Sequence, residues 1–318
     1  MLNFTNDNLS LFPDIVKPKD YIKSPLNYTG GKYKILNQIL PHFPKQIDTF
    51  VDLFCGGCNV GLNVNSNNVI FNDNCTELID LFRYFKNTDK NEILNQIYLT
   101  IEKYNLSRSD IHGHLYYYEK DDNSRFAKYN HKGYLKLREE YNKNKDNIIL
   151  LYILIIFSFN NQIRFNKNGI FNTPVGKSDF NNNIKNKLIK FLDEIQKDKY
   201  TFSNIDFYDF DFLNLKGNDF IYCDPPYLIS FATYNKYWDN ETEKKLYNLL
   251  DNINDNNIKF ALSNVLHHRD KTNLILENWI KNNNYKVINL NHTYKNSNYQ
   301  IQRTYDNLDS NEILVINY

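Results

Sequence analysis

Four apolar residues, Phe220-Ile221-Tyr222-Cys223, run directly into Asp224-Pro225-Pro226-Tyr227. A short continuous apolar run closed by turn residues predicts a strand buried on both faces. Such strands sit in open α/β sheets, where ligands bind outside the C-terminal strand ends. The two prolines fix φ and restrict the residue before each, so the turn is stiff and extended. Asp224 and the Pro225 carbonyl are acceptors, and Tyr227 offers a flat face. Together they suit an amino group on a planar ring.

The rest of the chain supplies such a sheet. Residues 49–54 and 69–71 read as buried strands, the first followed by Cys55-Gly56-Gly57-Cys58 and then a short helix. Segments 76–86 and 90–104 have helical spacing. Alternation resumes with helix 184–196, strands 200–205 and 219–223, helix 241–254, strand 258–263, helix 269–282 and strands 285–289 and 312–318. Strands alternating with helices predict a largely parallel, doubly wound sheet. Between the two stretches, residues 106–190 change texture. They hold the tyrosine cluster 116–118, helices 132–143 and 148–158, and an Asn/Gly-rich, aromatic-studded loop 159–183. This block reads as a mainly helical insertion. Residues 1–20 read as a loose lead-in and 291–311 as a mobile loop.

With 318 residues the chain can bury a large core, and its formal net charge is only +1, so any basic surface is local. Residues 160–190 supply one: Arg164, Lys167, Lys177, Lys185, Lys187 and Lys190 face a single acid, Asp179. The most apolar stretch, 148–159, is 12 residues long, too short to cross a bilayer. The spacing Cys55-x-x-Cys58 matches zinc ligands, but two glycines lie between and no second pair follows. His112-x-His114 and His267-His268 have no obvious carboxylate partner, so no metal is expected. The cysteines fit a reduced, cytoplasmic setting.

Glycines at a strand-to-helix turn let backbone approach a ligand. Those at 56, 57 and 61 miss the G-x-G-x-x-G dinucleotide fingerprint, yet Asp73 ends the next strand, where a carboxylate can accept ribose hydroxyls. The pair reads as a nucleoside site without a pyrophosphate cradle, which suits S-adenosylmethionine. Gly30-Gly31-Lys32 fails the phosphate-loop spacing, because position 26 is Leu and Tyr33 follows the lysine. It can instead close over a bound nucleoside.

These elements, in this order, resemble the Dam-like D12 class (alpha group) of DNA adenine methyltransferases. The P-x-x-(aromatic)-x-G-G-K element matches Pro25 to Lys32. The F-x-G-x-G element matches Phe54 to Cys58, with Cys58 standing where the second glycine falls. The acid after the second strand matches Asp73, and D-P-P-Y matches Asp224 to Tyr227. The recognition signature matches Arg164-Phe165-Asn166 and Gly169-Ile170-Phe171-Asn172-Thr173-Pro174-Val175-Gly176. Ser263-Asn264 and Asn311 to Leu314 fit the late strands.

The resemblance implies a Rossmann-like, S-adenosylmethionine-dependent sheet, catalytic over 21–105 and 191–318, with a target recognition domain at 106–190. It implies that Tyr28, Lys32, Asp73 and Asp224 contact the cofactor, that Phe54 and Gly56 shape its pocket, and that Asp206-Phe207 hold its adenine. Asp224, Pro225, Pro226 and Tyr227 would be the catalytic turn. The base leaves the helix and stacks on Tyr227, and methyl transfer is a direct in-line displacement. Arg164, Asn166, Asn172, Pro174 and Lys177 would contact double-stranded DNA. A bacterial or phage-infected cytoplasm, the nucleoid and a cognate restriction endonuclease follow as the expected setting. Methylation of RNA adenine or cytosine, or a catalytically dead DNA-binding subunit, are the alternatives.

Overall fold

A computed structural model describes residues 20–28, 30–117, 125–229, 238–291 and 310–318. The expected lead-in (apart from Asp20), Tyr118, and the loop from 292 to 309 lie outside the described residues.

The strands are β1 (Thr49–Asp52), β2 (Asn68–Asn72), β3 (Tyr200–Ser203), β4 (Phe220–Cys223), β5 (Lys259–His268), β6 (Lys271–Thr272), β7 (Lys286–Leu290) and β8 (Ser310–Ile316). They form one sheet in the order β3-β2-β1-β4-β5-β8-β7, with β6 paired to β5. Strands β1 to β5 are parallel where they pair, and β8 runs antiparallel to both β5 and β7. The expected doubly wound, mostly parallel sheet is therefore present.

Side chains alternate across it with the period of two that a pleated strand imposes. Phe50, Phe220 and Tyr222 enter one buried cluster, while Val51, Leu53, Ile221 and Cys223 enter the other. Helices α1 (Leu36–Ile39), α2 (Thr76–Asn87) and α3 (Lys90–Lys103) pack into the first cluster. So do α5 (Arg125–Lys143), α6 (Ile148–Phe157) and α7 (Asn182–Ile195), which follow the single turn α4 (Ser109–His112). Helices α8 (Asn240–Asp255) and α9 (Leu274–Asn283) cover the opposite face. Side-chain caps fix several starts: Asp89 for α3, Asn181 for α7, Asp239 for α8 and Asn273 for α9 each accept a backbone N–H.

The central block shares its core with the sheet. Every residue from Ile149 to Phe157 is buried, and α6 lies against α2, α3 and α5. A helix apolar all round must be enclosed. Helix α7 runs unbroken through the expected border at 190 and 191.

Two local expectations change. Residues 56–63 form successive turns rather than a short helix. The reason is competition from side chains: Asn59 Oδ1 accepts the Ser24 N–H at 3.0 Å, and Asn63 bonds both the N–H and the carbonyl of Ile22 at 2.8 Å. Strand β5 also overshoots, ending at His268. Arg269 turns the chain at φ 56°, and the helix expected from 269 begins only at Leu274.

Candidate active site

The strand order reverses direction between β1 and β4, which makes their C-terminal ends the topological switch point. Asp52 pairs in register with Tyr222, so Phe54 and Asp224 emerge side by side. A cavity of about 590 Å³ opens there, within the range of small-molecule sites. Tyr28, Lys32, Phe54, Gly56, Asp73, Asp224, Pro225, Pro226 and Tyr227 all line it. Asp206 and Phe207 line it too.

The glycine turn is built around Tyr28. Gly56 has φ +46°, and a Cβ there would lie 2.9 Å from the Tyr28 ring. Gly31 N–H donates to the Tyr28 carbonyl at 3.2 Å, closing the turn that delivers Lys32. Asp73 ties this turn to α2: one carboxylate oxygen accepts the Gly56 N–H at 3.0 Å, the other the Cys75 N–H at 2.9 Å. Burial raises the Asp73 carboxyl above its ordinary range, against those two N–H groups. Cys58, a non-glycine residue, adopts the left-handed conformation with φ 62° and turns its side chain wholly into the core beside Cys55.

Phe54, Phe207 and Trp238 form an aromatic wall. Ring centroids are 5.4 Å apart for Phe54 and Phe207, 5.8 Å for Phe54 and Trp238, and 5.5 Å for Phe207 and Trp238. The Trp238 indole N–H donates to Glu243, which is fully buried and also accepts from Tyr247, Asn264 and Asn273. Sequence reading missed Trp238. Its only local signal is an aromatic just ahead of a capped helix.

Asp224 is the hub of the polar wall. Lys32 Nζ lies 2.8 Å from one carboxylate oxygen, 2.8 Å from the Gly30 carbonyl and 3.5 Å from Glu312 Oε1. The ammonium stands 5.0 Å from the Tyr227 ring centroid. The Tyr227 hydroxyl lies 3.0 Å from Asp224 Oδ1 and 2.9 Å from Glu312 Oε1. Burial raises the Asp224 carboxyl, Lys32 opposes the rise and Glu312 adds to it. Tyr227, expected as a stacking platform, is only 7% exposed and anchored through its hydroxyl. Asp52, also on the wall, accepts the Gly61 N–H at 3.1 Å and is pushed up to about 8, chiefly by burial. Neither Glu312, on a late strand, nor Asp52, ahead of the glycine turn, is singled out by the sequence.

The five residues expected to contact DNA lie apart in sequence from this cavity, on or just after an irregular hairpin. It is held by bridges Ser158 to Val175 and Phe165 to Phe171. Arg164, Asn166, Asn172, Pro174 and Lys177 are all exposed. Arg164 donates from Nε to Asn172 Oδ1 at 2.9 Å and from Nη2 to the Asn172 carbonyl at 3.2 Å. Asn166 Oδ1 caps the hairpin turn, accepting the N–H groups of Asn168 at 2.9 Å and Ile170 at 3.0 Å. Phe171 is buried and its backbone is clamped on both sides by Asn142 of α5. A Cβ on Gly176 would sit 2.2 Å from the Ser158 carbonyl oxygen.

Among the described residues no group of three or more His, Cys, Asp or Glu side chains could hold a metal ion. No described helix is long and apolar enough to cross a membrane.

Comparison with known proteins agrees with this architecture. The family model for D12 class N6 adenine-specific DNA methyltransferase matches residues 28–296. Modification methylase StsI of Streptococcus sanguinis is 43% identical, aligning with 94% of this chain and 43% of its own length. Type II methyltransferase M.FokI of Planomicrobium okeanokoites is 41% identical over 95% of this chain and 44% of its own. The DNA adenine methylase of Escherichia coli K12 is 25% identical over 75% of this chain and 79% of its own. The chain thus spans less than half the length of the first two relatives.

Proposed function

The chain belongs to the D12 class N6 adenine-specific DNA methyltransferase family, and on that premise we propose that it methylates the N6 amine of an adenine flipped out of a short duplex sequence. The observation that carries this reading is Asp224. Its carboxylate stands at the switch point, on the cavity wall, with Lys32 beside it and two prolines behind it.

S-adenosylmethionine would supply the methyl group as an electrophilic carbon on a cationic sulfur. The cavity chemistry fits such a ligand: five aspartates and two lysines line it, surroundings that favour a cation. Asp73 would accept the ribose hydroxyls, and Asp206 with Phe54, Phe207 and Trp238 would hold the adenine. Tyr28 and Gly56 close the turn beside them.

An adenine amine is a poor nucleophile because its lone pair is delocalised into the ring. Asp224 and the Pro225 carbonyl accept its two hydrogens, which draws the nitrogen towards a pyramidal shape and aims the lone pair. Positioning and fixed charge lower the barrier without a covalent enzyme intermediate. The nitrogen then loses a proton, and the Asp224 carboxylate is its acceptor. Unstacking the base costs a few kcal/mol, about 2–4, repaid by contacts in the pocket.

DNA reading is assigned to the 106–190 region and within it to the exposed hairpin face carrying Arg164, Asn172 and Pro174, with Lys177 on the phosphates. Asn166 supports that face by shaping the turn. The name of the StsI relative supports reading this chain as a modification methylase; a cognate restriction endonuclease and a cytoplasmic setting belong to the same proposal. Labelled methyl transfer to unmethylated duplex DNA should yield N6-methyladenine. Methylcytosine, methylation of RNA alone, or cofactor binding without transfer to any adenine-containing duplex would overturn the reading.

A further inference from the structure

The Tyr227 hydroxyl has one proton and two carboxylates within reach, Asp224 Oδ1 at 3.0 Å and Glu312 Oε1 at 2.9 Å. It can donate to only one at a time. Rotation of the O–H about its C–O bond exchanges the two without moving a heavy atom. Lys32 spans the same pair, 2.8 Å from Asp224 and 3.5 Å from Glu312. Glu312 reaches this point from β8, fully buried between β5 and β7. Burying a second carboxylate beside the first is costly unless it is bonded. Its place in the site therefore calls for a reason beyond packing.

We infer that Glu312 is a positioning residue: it draws the Tyr227 proton, and part of the Lys32 charge, away from Asp224, so that Asp224 Oδ1 is open to the amine of the incoming base. The inference rests on the methyltransferase reading for its substrate, but the exchange itself is a property of the protein alone. Without Glu312 the Tyr227 proton stays on Asp224 and competes with the base. The loss then falls on turnover rather than on cofactor affinity.

Two substitutions separate this role from packing. Glu312→Gln keeps an acceptor oxygen and removes the charge; Glu312→Leu keeps the bulk and removes both. Turnover should fall roughly tenfold in the first and about 10²-fold in the second, with little change in cofactor Kd by calorimetry. In a Tyr227→Phe background the Glu312→Gln effect should shrink to less than half, because the two act through one hydroxyl. A direct readout needs no turnover. With 13C-carboxyl aspartate labelling, the Asp224 signal is assigned by its disappearance in Asp224→Asn. In Glu312→Gln it should titrate at lower pH than in the wild type, since a neighbouring negative charge is gone. The other charged or titratable groups around Asp224 are Lys32, Asp52 on β1, Tyr222, Cys223 and Tyr227, all unaltered in that variant.

An unchanged titration, or fully additive effects of Glu312→Gln and Tyr227→Phe, would overturn the inference. If Glu312→Leu fails to fold, Glu312→Gln and the titration decide. If the wild type transfers no methyl group to adenine, the methyltransferase reading fails while the titration still tests the exchange.

Discussion

The strand-end cavity and the 158–176 hairpin both carry dense sequence signatures, and they use them differently. In the cavity, signature side chains point into shared space: Lys32, Asp73, Asp224 and Tyr227 meet there from separate elements. In the hairpin most signature residues face inward or along the backbone. Phe171 and Thr173 are buried, Asn166 caps the turn, and the Thr173 carbonyl accepts from Tyr134 at 2.9 Å. Only alternate positions such as Arg164, Asn172 and Pro174 remain exposed. One signature is a list of chemical groups; the other is mostly a recipe for a loop shape that displays a few of them.

The largest effect expected from that difference is at Asp224. Asp224→Asn should lower methyl transfer by about 10³-fold while leaving DNA binding intact, as read by single-turnover kinetics and a gel-shift titration. If DNA affinity falls instead, the cavity and the hairpin are not separable. In the hairpin the largest effect should be structural. Phe171→Ala should cost about 3–5 kcal/mol of stability by denaturant unfolding, as truncation of a buried aromatic does. A loss of DNA affinity without loss of stability would make that ring a contact rather than a support.

Gly56→Ala introduces a side chain at φ +46° and against Tyr28. Strain of about 1–3 kcal/mol should weaken cofactor affinity about tenfold or more by calorimetry, with hairpin-dependent DNA binding unaffected. Arg164→Ala should cost about 1–3 kcal/mol in DNA affinity and relax specificity at one base pair, with cofactor affinity unchanged. Asn172→Ala should cost less, and the two should not add, because the Asn172 side chain holds the guanidinium through one of its two bonds to that residue.

How much was legible follows from the same contrast. Asp224, Asp73 and Phe54 declare themselves because each ends or follows a buried strand, and the sheet order makes strand ends neighbours. Lys32 declares itself through the glycines before it. Trp238, Asp52 and Glu312 do not. Asp52 looks like any polar strand terminus until Gly61 and the cavity enclose it. Glu312 acquires its partners only when the antiparallel β8 inserts beside β5, a pairing that local pattern does not encode. The absent helix after Cys58 has a similar cause, since Asn59 and Asn63 spend their side chains on a distant segment. The resemblance singles out Asn166 for DNA, but it does not reveal that its side-chain oxygen also caps its own turn.

A different kind of effect, on pH dependence, concerns Asp52. Its carboxyl is pushed from an ordinary 3.8 up to about 8, so between those values the folded chain holds a proton that the unfolded chain has lost. Stability should therefore fall as pH rises from about 4 to 8. Asp52→Asn, which keeps an acceptor for the Gly61 N–H, should flatten that slope and raise Tm at pH 8. An unchanged slope would mean that Asp52 is ionised in the fold.

The most direct measurement is the product itself. The chain is incubated with S-adenosylmethionine and unmethylated duplex DNA, and the nucleosides are then resolved by mass. Asp224-dependent chemistry predicts N6-methyladenine from the wild type and essentially none from Asp224→Asn. Equal yields from both proteins, or methyl groups found on any other atom, would contradict it.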